Sequence, residues 1–223
     1  MIKKVGIYVD GFNLFFGALK LAERKKYRWL NIQKLVQEAC KSYLSKNDYE
    51  VRCIKFCTAR ISKRADNDDS PRKQQIYFNA LKTIPNLHLI FGNFLVHKKF
   101  AAVYPIELDS RGRAKTRLVV HTEEKGSDVN LAAHLLADAF RGDIDIAIMI
   151  TNDTDLVTPL KIASEELRKE VLVVSPFRKT AYSIKQLRRV KCYNIETSHL
   201  AAAQFPNEIT TGAGRVITKP KDW

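Results

Sequence analysis

The chain has 223 residues, of which 45% are hydrophobic and 28% charged, and its formal net charge is +14. This length suits one α/β domain with a sizeable core, and no stretch approaches the roughly 20 consecutive apolar residues that a membrane helix needs. The apolar run before Asp10 is too short for a signal peptide, and the four cysteines lack zinc-ligand spacing. We therefore expect a cytoplasmic protein with buried free thiols and no membrane partner.

Strand and helix patterns alternate along the chain. Short apolar runs predict strands at residues 4–9, 51–57, 88–92, 145–150, 171–175 and 190–195. Helical periodicity predicts helices at residues 31–45, from Ser70 onwards, and at 127–140, 156–169 and 180–188, with Asn31 and Ser127 as N-caps. This alternation indicates right-handed crossovers and a mostly parallel sheet between two helix layers.

Two segments depart from simple alternation. Between residues 94 and 124, two extended stretches flank Asp109–Arg113 and predict an inserted β-hairpin with a basic tip. From about residue 201 onwards, glycine and proline interrupt the pattern, so we expect an irregular C-terminal tail. The sequence shows no internal repeat and no low-complexity linker, which favours a single domain.

Four aspartates occupy positions where a parallel sheet collects its functional groups, at the carboxyl ends of strands. Asp10 ends the first predicted strand, Asp153 and Asp155 follow the strand at 145–150, and Asp128 lies in the first turn of the preceding helix. Converging carboxylates repel each other unless a cation neutralises them, and oxygen ligands of this kind suit Mg²⁺ or Mn²⁺. The pattern therefore predicts a metal site.

Each aspartate also has a purely structural interpretation. Asp10 with Gly11 is a common turn pair, and Asp128 suits the positive end of a helix. Asp153 and Asp155 can cap the helix that follows them. Independent structural roles would not place all of these acids at the same edge of a sheet, so the set as a whole favours metal chemistry. The five histidines lie in unrelated contexts and are more typical of surface or core-edge positions.

Three segments resemble the motif blocks of NYN domains, in the bacterial LabA-like branch of the PIN-like superfamily of metal-dependent ribonucleases. They are VGIYVDGFNLFFG, EEKGSDVNLAAHLLADAF and IAIMITNDTDLVTPL, and the residues Arg72–Tyr77 and the closing KPKDW also look familial. The resemblance covers nearly the whole chain. It implies a PIN-like α/β/α sandwich over residues 1–200, with residues 201–223 packed on it or extending from it.

The resemblance also implies roles for individual residues. Asp10, Asp128 and Asp153 match the metal-binding acids of the family, and Asp155 is the second acid of the last block. Asn13 matches a polar residue that would orient a water or a phosphate, so these five residues form the expected catalytic set.

Neighbouring residues complete the expected site. Thr151 and Asn152 would hold the phosphate or orient the metal ligands. Ser127 departs from the family pattern, in which a small apolar residue such as valine precedes the acid. The departure is small and should not disturb metal binding.

The basic residues are candidates for contacts with a nucleic acid. A surplus of +14 attracts polyanions, although any single basic cluster is most simply a solvated surface. Arg60, Lys63 and Arg64 follow the second strand at its carboxyl end, and Lys125 precedes Asp128 by three residues. We expect these four to contact nucleic-acid phosphates without reading the base sequence. The hairpin tip could extend the groove or contact a different partner.

The sequence thus favours a Mg²⁺- or Mn²⁺-dependent nuclease, with RNA as the favoured partner, that attacks a phosphodiester with a metal-activated water. Two alternatives stay open. One is an RNA- or DNA-binding regulatory module that retains the site without turnover, and the other is a metal-dependent phosphatase or nucleotidase, which has less need of such a positive charge. The pattern does not distinguish RNA from DNA or one metal from two, and it leaves a homo-oligomer open.

Overall fold

A seven-stranded sheet forms the centre of the molecule. The computed structural model describes residues 2–62 and 69–221. The strands of this sheet are β1 (Lys3–Asp10), β2 (Tyr49–Ala59), β3 (Leu87–Ala102), β4 (Thr116–Lys125), β5 (Ile146–Ile150), β6 (Glu170–Ser175) and β7 (Val190–Asn194). Their order is β4-β3-β2-β1-β5-β6-β7, and every pair of neighbours is parallel except β3 and β4.

Helices cover both faces of this sheet. The α-helices are α1 (Gly11–Leu14), α2 (Ile32–Ala39), α3 (Lys41–Leu44), α4 (Ser70–Leu81), α5 (Ser127–Arg141), α6 (Val157–Lys161), α7 (Tyr182–Lys185) and α8 (Thr197–Ala202). Short 3-10 turns at Ala22–Tyr27 and Thr154–Leu156 and π-helical turns at Phe15–Leu19 and Ile162–Glu166 extend or join them. Among the described residues, no helix combines the length and apolar character needed to cross a membrane.

The alternation of side chains along each strand divides the core in two. On β1, Ile7 and Val9 point into a cluster with α2, α3, α4 and α8, whereas Tyr8 points into a cluster with α5, α6 and α7. On the central strands, both clusters consist largely of buried aliphatic side chains. The predicted α/β/α sandwich with a mostly parallel sheet is therefore confirmed.

The inserted hairpin grows directly out of the sheet. Residues 87–92 of β3 pair with β2, and residues 93–102 pair with β4, so the ladder passes from one partner to the next without a break. The sequence pattern had separated these two parts of β3. At the tip, the Asp109 carboxylate accepts hydrogen bonds from the backbone N–H groups of Arg111 (2.8 Å) and Arg113 (2.9 Å). Gly112 has a φ of +72°, which favours glycine at this turn.

The tail and one helix cap differ from expectation. Residues 208–210 (β8, Glu208–Thr210) and 216–218 (β9, Val216–Thr218) pair as a small antiparallel hairpin, because pairing satisfies the backbone while Ile217 enters the core. The expectation of a wholly irregular tail was therefore wrong. The N-cap of α5 is Gly126, with a φ of +98°, rather than Ser127. In place of a serine cap, the Glu124 carboxylate accepts hydrogen bonds from the backbone N–H (3.1 Å) and the hydroxyl (2.8 Å) of Ser127.

The four cysteines are free thiols, as expected, but they are not equally buried. Cys40 and Cys57 are buried, whereas Cys53 and Cys192 are only half-buried. Burial raises the pKa of the Cys40 and Cys57 thiols to about 12, which keeps both protonated and unreactive at neutral pH.

One buried carboxylate fastens α5 to the sheet. Asp138 accepts hydrogen bonds from the Tyr8 hydroxyl (2.8 Å), the Lys55 ammonium (2.5 Å) and the Arg141 guanidinium (2.6 Å). Burial raises the pKa of Asp138, but the hydrogen bonds from Lys55 and Tyr8 outweigh it and leave the pKa below its ordinary value. Asp138 is therefore a buried charge with its partners already in place.

Removal of this carboxylate should destabilise the fold. We expect Asp138→Ala to lower the free energy of unfolding by about 3 kcal/mol, because it leaves the poorly exposed Lys55 ammonium without its counter-charge. Urea denaturation at pH 7 measures this. The exposed Asp143, which pairs with Arg141, provides a matched control, and Asp143→Ala should change stability within experimental error. Similar small losses for both variants would contradict the assigned role.

Candidate metal centre

The chain order of the strands creates a crevice at the carboxyl ends of β1 and β5. After β1, the chain builds β2, β3 and β4 on one side and then returns to place β5 on the other side of β1. Connections leave in opposite directions at such a switch point, and this opens a crevice in which ligands bind. Val9 pairs with Ile150, so Asp10 at the end of β1 lies beside Thr151.

Three carboxylates converge in this crevice. Asp10, Asp128 and Asp153 each offer an oxygen, and these oxygens lie within 4.8 Å of one another. Asp10 ends β1 and is 4% exposed, Asp128 comes from the first turn of α5, and Asp153 follows β5 as the N-cap of the 3-10 turn Thr154–Leu156. The tertiary fold thus brings together residues that are up to 143 positions apart, as their numbers show.

Burial and mutual repulsion oppose the charge on this cluster. Burial raises the pKa of Asp10 to about 6, and the charges of Asp128 and Asp153 add to this effect. Hydrogen bonds from Asn13 and Thr151 lower the pKa of Asp10 without cancelling the rise. Burial also raises the pKa of Asp128, with further contributions from Asp153, Glu124 and Asp155. A divalent cation would relieve this repulsion, so the electrostatics fit a metal.

Local hydrogen bonds fix the orientation of the Asp10 carboxylate. One oxygen accepts from the Asn13 N–H (2.9 Å), and the other accepts from the Thr151 hydroxyl (3.2 Å). Gly11 makes the tight turn possible, because a β-carbon there would lie 2.8 Å from the Phe56 ring and 2.9 Å from the Cys57 carbonyl oxygen. Thr151 also accepts from the Asp153 N–H (3.1 Å), so one buried hydroxyl links two of the acids.

The two predicted asparagines act on the loops around the crevice. The Asn13 side-chain oxygen accepts from the Asn152 N–H (2.8 Å), which joins α1 to the loop after β5. The Asn152 side chain in turn accepts from the Ala181 N–H (2.7 Å) and donates to the Lys179 carbonyl (3.3 Å). Both amides are therefore engaged with backbone, and this arrangement joins α1, the loop after β5 and the segment before α7.

Two further acids border the three-carboxylate group. Asp155 is exposed, and its N–H donates to Asp153 (2.9 Å), while its charge contributes to the raised pKa of Asp128. Glu124, at the end of β4, contributes to the same shift, and the sequence reasoning did not single it out. Its position four residues before Asp128 was the available signal. The sequence does not give the register of β4, so it could not show that Glu124 lies near the crevice.

The predicted nucleic-acid contacts have different surroundings. Arg60 directly follows β2 at the carboxyl edge, where its guanidinium carbon lies 4.5 Å from the centre of the Phe91 ring and the group donates to Gln75 (2.6 Å). The exposed Lys125 ammonium pairs with Glu123 (2.6 Å). The predicted contacts Lys63 and Arg64 lie outside the described residues. Arg60 is thus a pre-oriented cation at the same edge of the sheet as the crevice.

The fold and the acidic crevice define a PIN-like, nuclease-type α/β domain. The NYN domain model matches residues 4–196, so the chain belongs to the NYN domain family, within the PIN-like superfamily. This match includes Asp10, Asp128 and Asp153 and most of the described core.

Two known proteins are similar to this chain over most of its length. It is 30% identical over 237 aligned positions to the 6-hydroxy-3-succinoylpyridine 3-monooxygenase HspA of Pseudomonas putida (strain DSM 28022 / S16), with 97% of this chain and 74% of that protein covered. A crystal structure of a protein of unknown function from Vibrio parahaemolyticus RIMD 2210633 superposes with a TM-score of 0.52. That comparison covers 88% of this chain and 94% of the other at 18% identity, and it supports the fold alone.

The charge on Asp10 should make metal-free stability depend on pH. The pKa of Asp10 is higher in the folded chain than the ordinary 3.8, so the carboxylate destabilises the fold as the pH rises through about 6. In EDTA, we expect Asp10→Asn to be more stable than the unmodified chain at pH 8, by up to about 3 kcal/mol, and equally stable near pH 3.5. Urea denaturation at both pH values measures this, with Asp143→Asn as the control. A variant that is destabilised at pH 8 would contradict the expectation.

Proposed function

We propose that this chain is a divalent-metal-dependent nuclease that hydrolyses phosphodiester bonds, with single-stranded RNA as the favoured substrate and internal bonds as the point of attack. The observation that carries this proposal is the convergence of the Asp10, Asp128 and Asp153 carboxylates at the switch point of the sheet. Membership of the NYN family supports it, because this nuclease-type domain implies a nucleic-acid substrate and its relatives generally use divalent metal ions.

The chemistry of the donor set fits Mg²⁺ or Mn²⁺. All three donors are carboxylates, which these hard cations prefer and which need positive charge to lie so close together. When bound, such a cation polarises a phosphoryl oxygen and lowers the pKa of a water molecule. Asp10 and Asp153 would be its pre-oriented ligands because Thr151 links them, and Asp128 would approach from α5.

The remaining residues would serve the substrate. Asp155 is exposed beside Asp128, where its carboxylate can accept a proton from the attacking water. The side chains of Asn13 and Asn152 hold the segments around the crevice in place by hydrogen bonds. Their effect on catalysis would therefore come through the position of the acids. Arg60 offers a fixed guanidinium to a phosphate at the same edge, and the net charge of +14 favours a polyanion.

Loss of a metal ligand should abolish cleavage without loss of the fold. We expect Asp10→Asn and Asp153→Asn each to slow cleavage of a labelled single-stranded RNA in Mn²⁺ by about 100-fold or more, because each removes a carboxylate from the site. Asp143 is an exposed acid just after α5, and Asp143→Asn should cleave like the unmodified chain, whereas EDTA should stop all cleavage. The matched single-stranded DNA should be cleaved more slowly than the RNA.

The same assay separates the proposal from a silent binding module. RNA binding that survives EDTA, with no cleavage of any RNA or DNA oligonucleotide in Mn²⁺ or Mg²⁺, would overturn the nuclease function. Cleavage by the Asp10→Asn, Asp153→Asn double variant would overturn the assignment of the site.

Arg60 should affect binding more than turnover. We expect Arg60→Ala to weaken RNA binding by about three- to ten-fold and to reduce the slope of log affinity against log salt by about one, because one phosphate contact is lost. Fluorescence anisotropy with Ca²⁺ in place of Mn²⁺ measures this without cleavage. Arg52, an exposed arginine of β2 closer to its amino end, is the matched control, and Arg52→Ala should leave affinity and slope unchanged. Equal effects of both substitutions would argue against a specific role for Arg60.

The relative from Pseudomonas supplies a second candidate function, the oxygenation of a hydroxypyridine ring. That reaction consumes dioxygen and a two-electron reductant, so it is measured by oxygen uptake with 6-hydroxy-3-succinoylpyridine and NADH or NADPH. Substrate-dependent oxygen uptake that is lost in Asp10→Asn, together with no cleavage of nucleic acid, would favour this function. The net charge of +14 and Arg60 favour the nuclease, because a small substrate has no need of so large a positive charge.

A further inference from the structure

The inserted hairpin exposes an unusual amount of apolar surface. We define the arm as residues 93–125, which comprise the outer part of β3, the tip and β4. Nine of the 17 large hydrophobic side chains that are exposed in the described chain lie between residues 95 and 120. They are Leu95, Val96, Phe100, Tyr104, Ile106, Leu108, Leu118, Val119 and Val120. Single exposed hydrophobic residues are ordinary, but a concentration of this kind marks an interaction surface.

The arm also ends in an unprotected strand edge. In the described part of the chain, β4 has a strand on one side only, and its ten pairs with β3 run from Thr116 to Lys125 without a shift. Sheet edges are usually protected by a short strand, a proline, a bulge or a central charge. The middle of β4, residues 118–122 (LVVHT), has none of these. By contrast, β7 at the opposite edge is only five residues long.

The sequence of β4 is complementary to a second copy of itself. If two β4 strands pair antiparallel about a two-fold axis at Val120, Arg117 of each copy lies opposite Glu123 of the other. Leu118 then lies opposite Thr122, and Val120 lies opposite Val120. Opposite charges on facing positions stabilise an antiparallel pair, and the symmetric arrangement forms this ion pair twice.

We propose that two copies of this chain form a dimer by antiparallel pairing of their β4 strands, which joins the two sheets through their arms. The side chains of Val96, Phe100, Leu118 and Val120 share one face of the arm, because Val96, Lys98 and Phe100 pair with Thr122, Val120 and Leu118. In the dimer, the two faces lie side by side, with Lys98 and Thr122 as the polar residues between these apolar side chains.

The composition of the arm favours a second copy over a nucleic acid. Seven of the nine exposed hydrophobic side chains are aliphatic, and aliphatic groups do not stack on bases as aromatic rings do. The charged residues of β4 are also of both signs, which suits a strand that pairs with itself. This dimer does not depend on the proposed nuclease activity.

Sedimentation or light scattering of the whole chain over a range of concentrations provides the first test. We expect a dimer for the unmodified chain, and Val120→Lys should weaken it by about 100-fold or more, because two like charges would face each other at the axis. Val216→Lys, a similarly exposed valine on β9, is the matched control and should remain dimeric. Circular dichroism establishes that each variant is folded.

A charge exchange and a crosslink test the register. Arg117→Glu and Glu123→Arg should each weaken the dimer by about ten-fold, and the double variant should restore it, because both ion pairs re-form with reversed polarity. A short bismaleimide should crosslink two chains through Val120→Cys. The same reagent should leave Val216→Cys and the unmodified chain, with its partly buried Cys53 and Cys192, uncrosslinked.

Several outcomes would overturn the proposal. A monomer at all concentrations would do so, as would a dimer that Val120→Lys leaves intact. A chain that is monomeric alone and assembles only when RNA is added would show that the arm serves nucleic acid instead. Weakening by Arg117→Glu without rescue by the double variant, together with no crosslink at Val120→Cys, would rule out the β4 register.

Discussion

The parallel pairing of β1 with both β2 and β5 is the constraint on which the rest of the structure depends. It places Asp10, the last residue of β1, in the middle of the sheet edge, with β2, β3 and β4 on one side and β5, β6 and β7 on the other. Because the connections after β1 and β5 leave in opposite directions there, the edge opens into a crevice with Asp10 at its base. The loop after β5 and the start of α5 then deliver Asp153 and Asp128 to the same place.

Two aspartates of α5, Asp128 and Asp138, have opposite electrostatic surroundings. Asp138, near its carboxyl end, is buried among Tyr8, Lys55 and Arg141, and its charge is balanced within the protein. Asp128, at its amino end, faces other carboxylates, and burial and repulsion raise its pKa. The first arrangement stabilises the fold, and the second leaves negative charge for a ligand to neutralise. The difference between the two ends separates a structural carboxylate from one that belongs to the proposed metal site.

Family membership and activity are separate conclusions for this chain. The NYN match establishes a nuclease-type domain, whereas the curated relative is named for the oxygenation of a pyridine compound. One fold can support unrelated chemistry, because activity depends on the side chains at the site and the surface around it. The all-carboxylate crevice and the pre-oriented Arg60 are the features on which the proposed phosphodiester chemistry rests.

Local sequence patterns predicted most of the elements and the residues of the acidic cluster. Residues 145–150 are continuously apolar, so they predicted a strand buried on both faces, and β5 occupies 146–150 with every side chain buried. The aspartates were recognisable because each follows or precedes such an element. Asn31 was also predicted as an N-cap, and its side chain accepts from the Lys34 N–H. These features depend on a few neighbouring residues.

The sequence by itself thus determined the order of the elements and the chemistry available at their ends. Only the tertiary structure decided that Glu124 borders the cluster, that Asn13 fastens the loop at Asn152, and that β3 passes without a break from the sheet into the arm. The physical reason is that each of these features depends on strand register and on crossovers between distant segments. Local propensity does not encode such pairings, because they arise only when the whole chain packs.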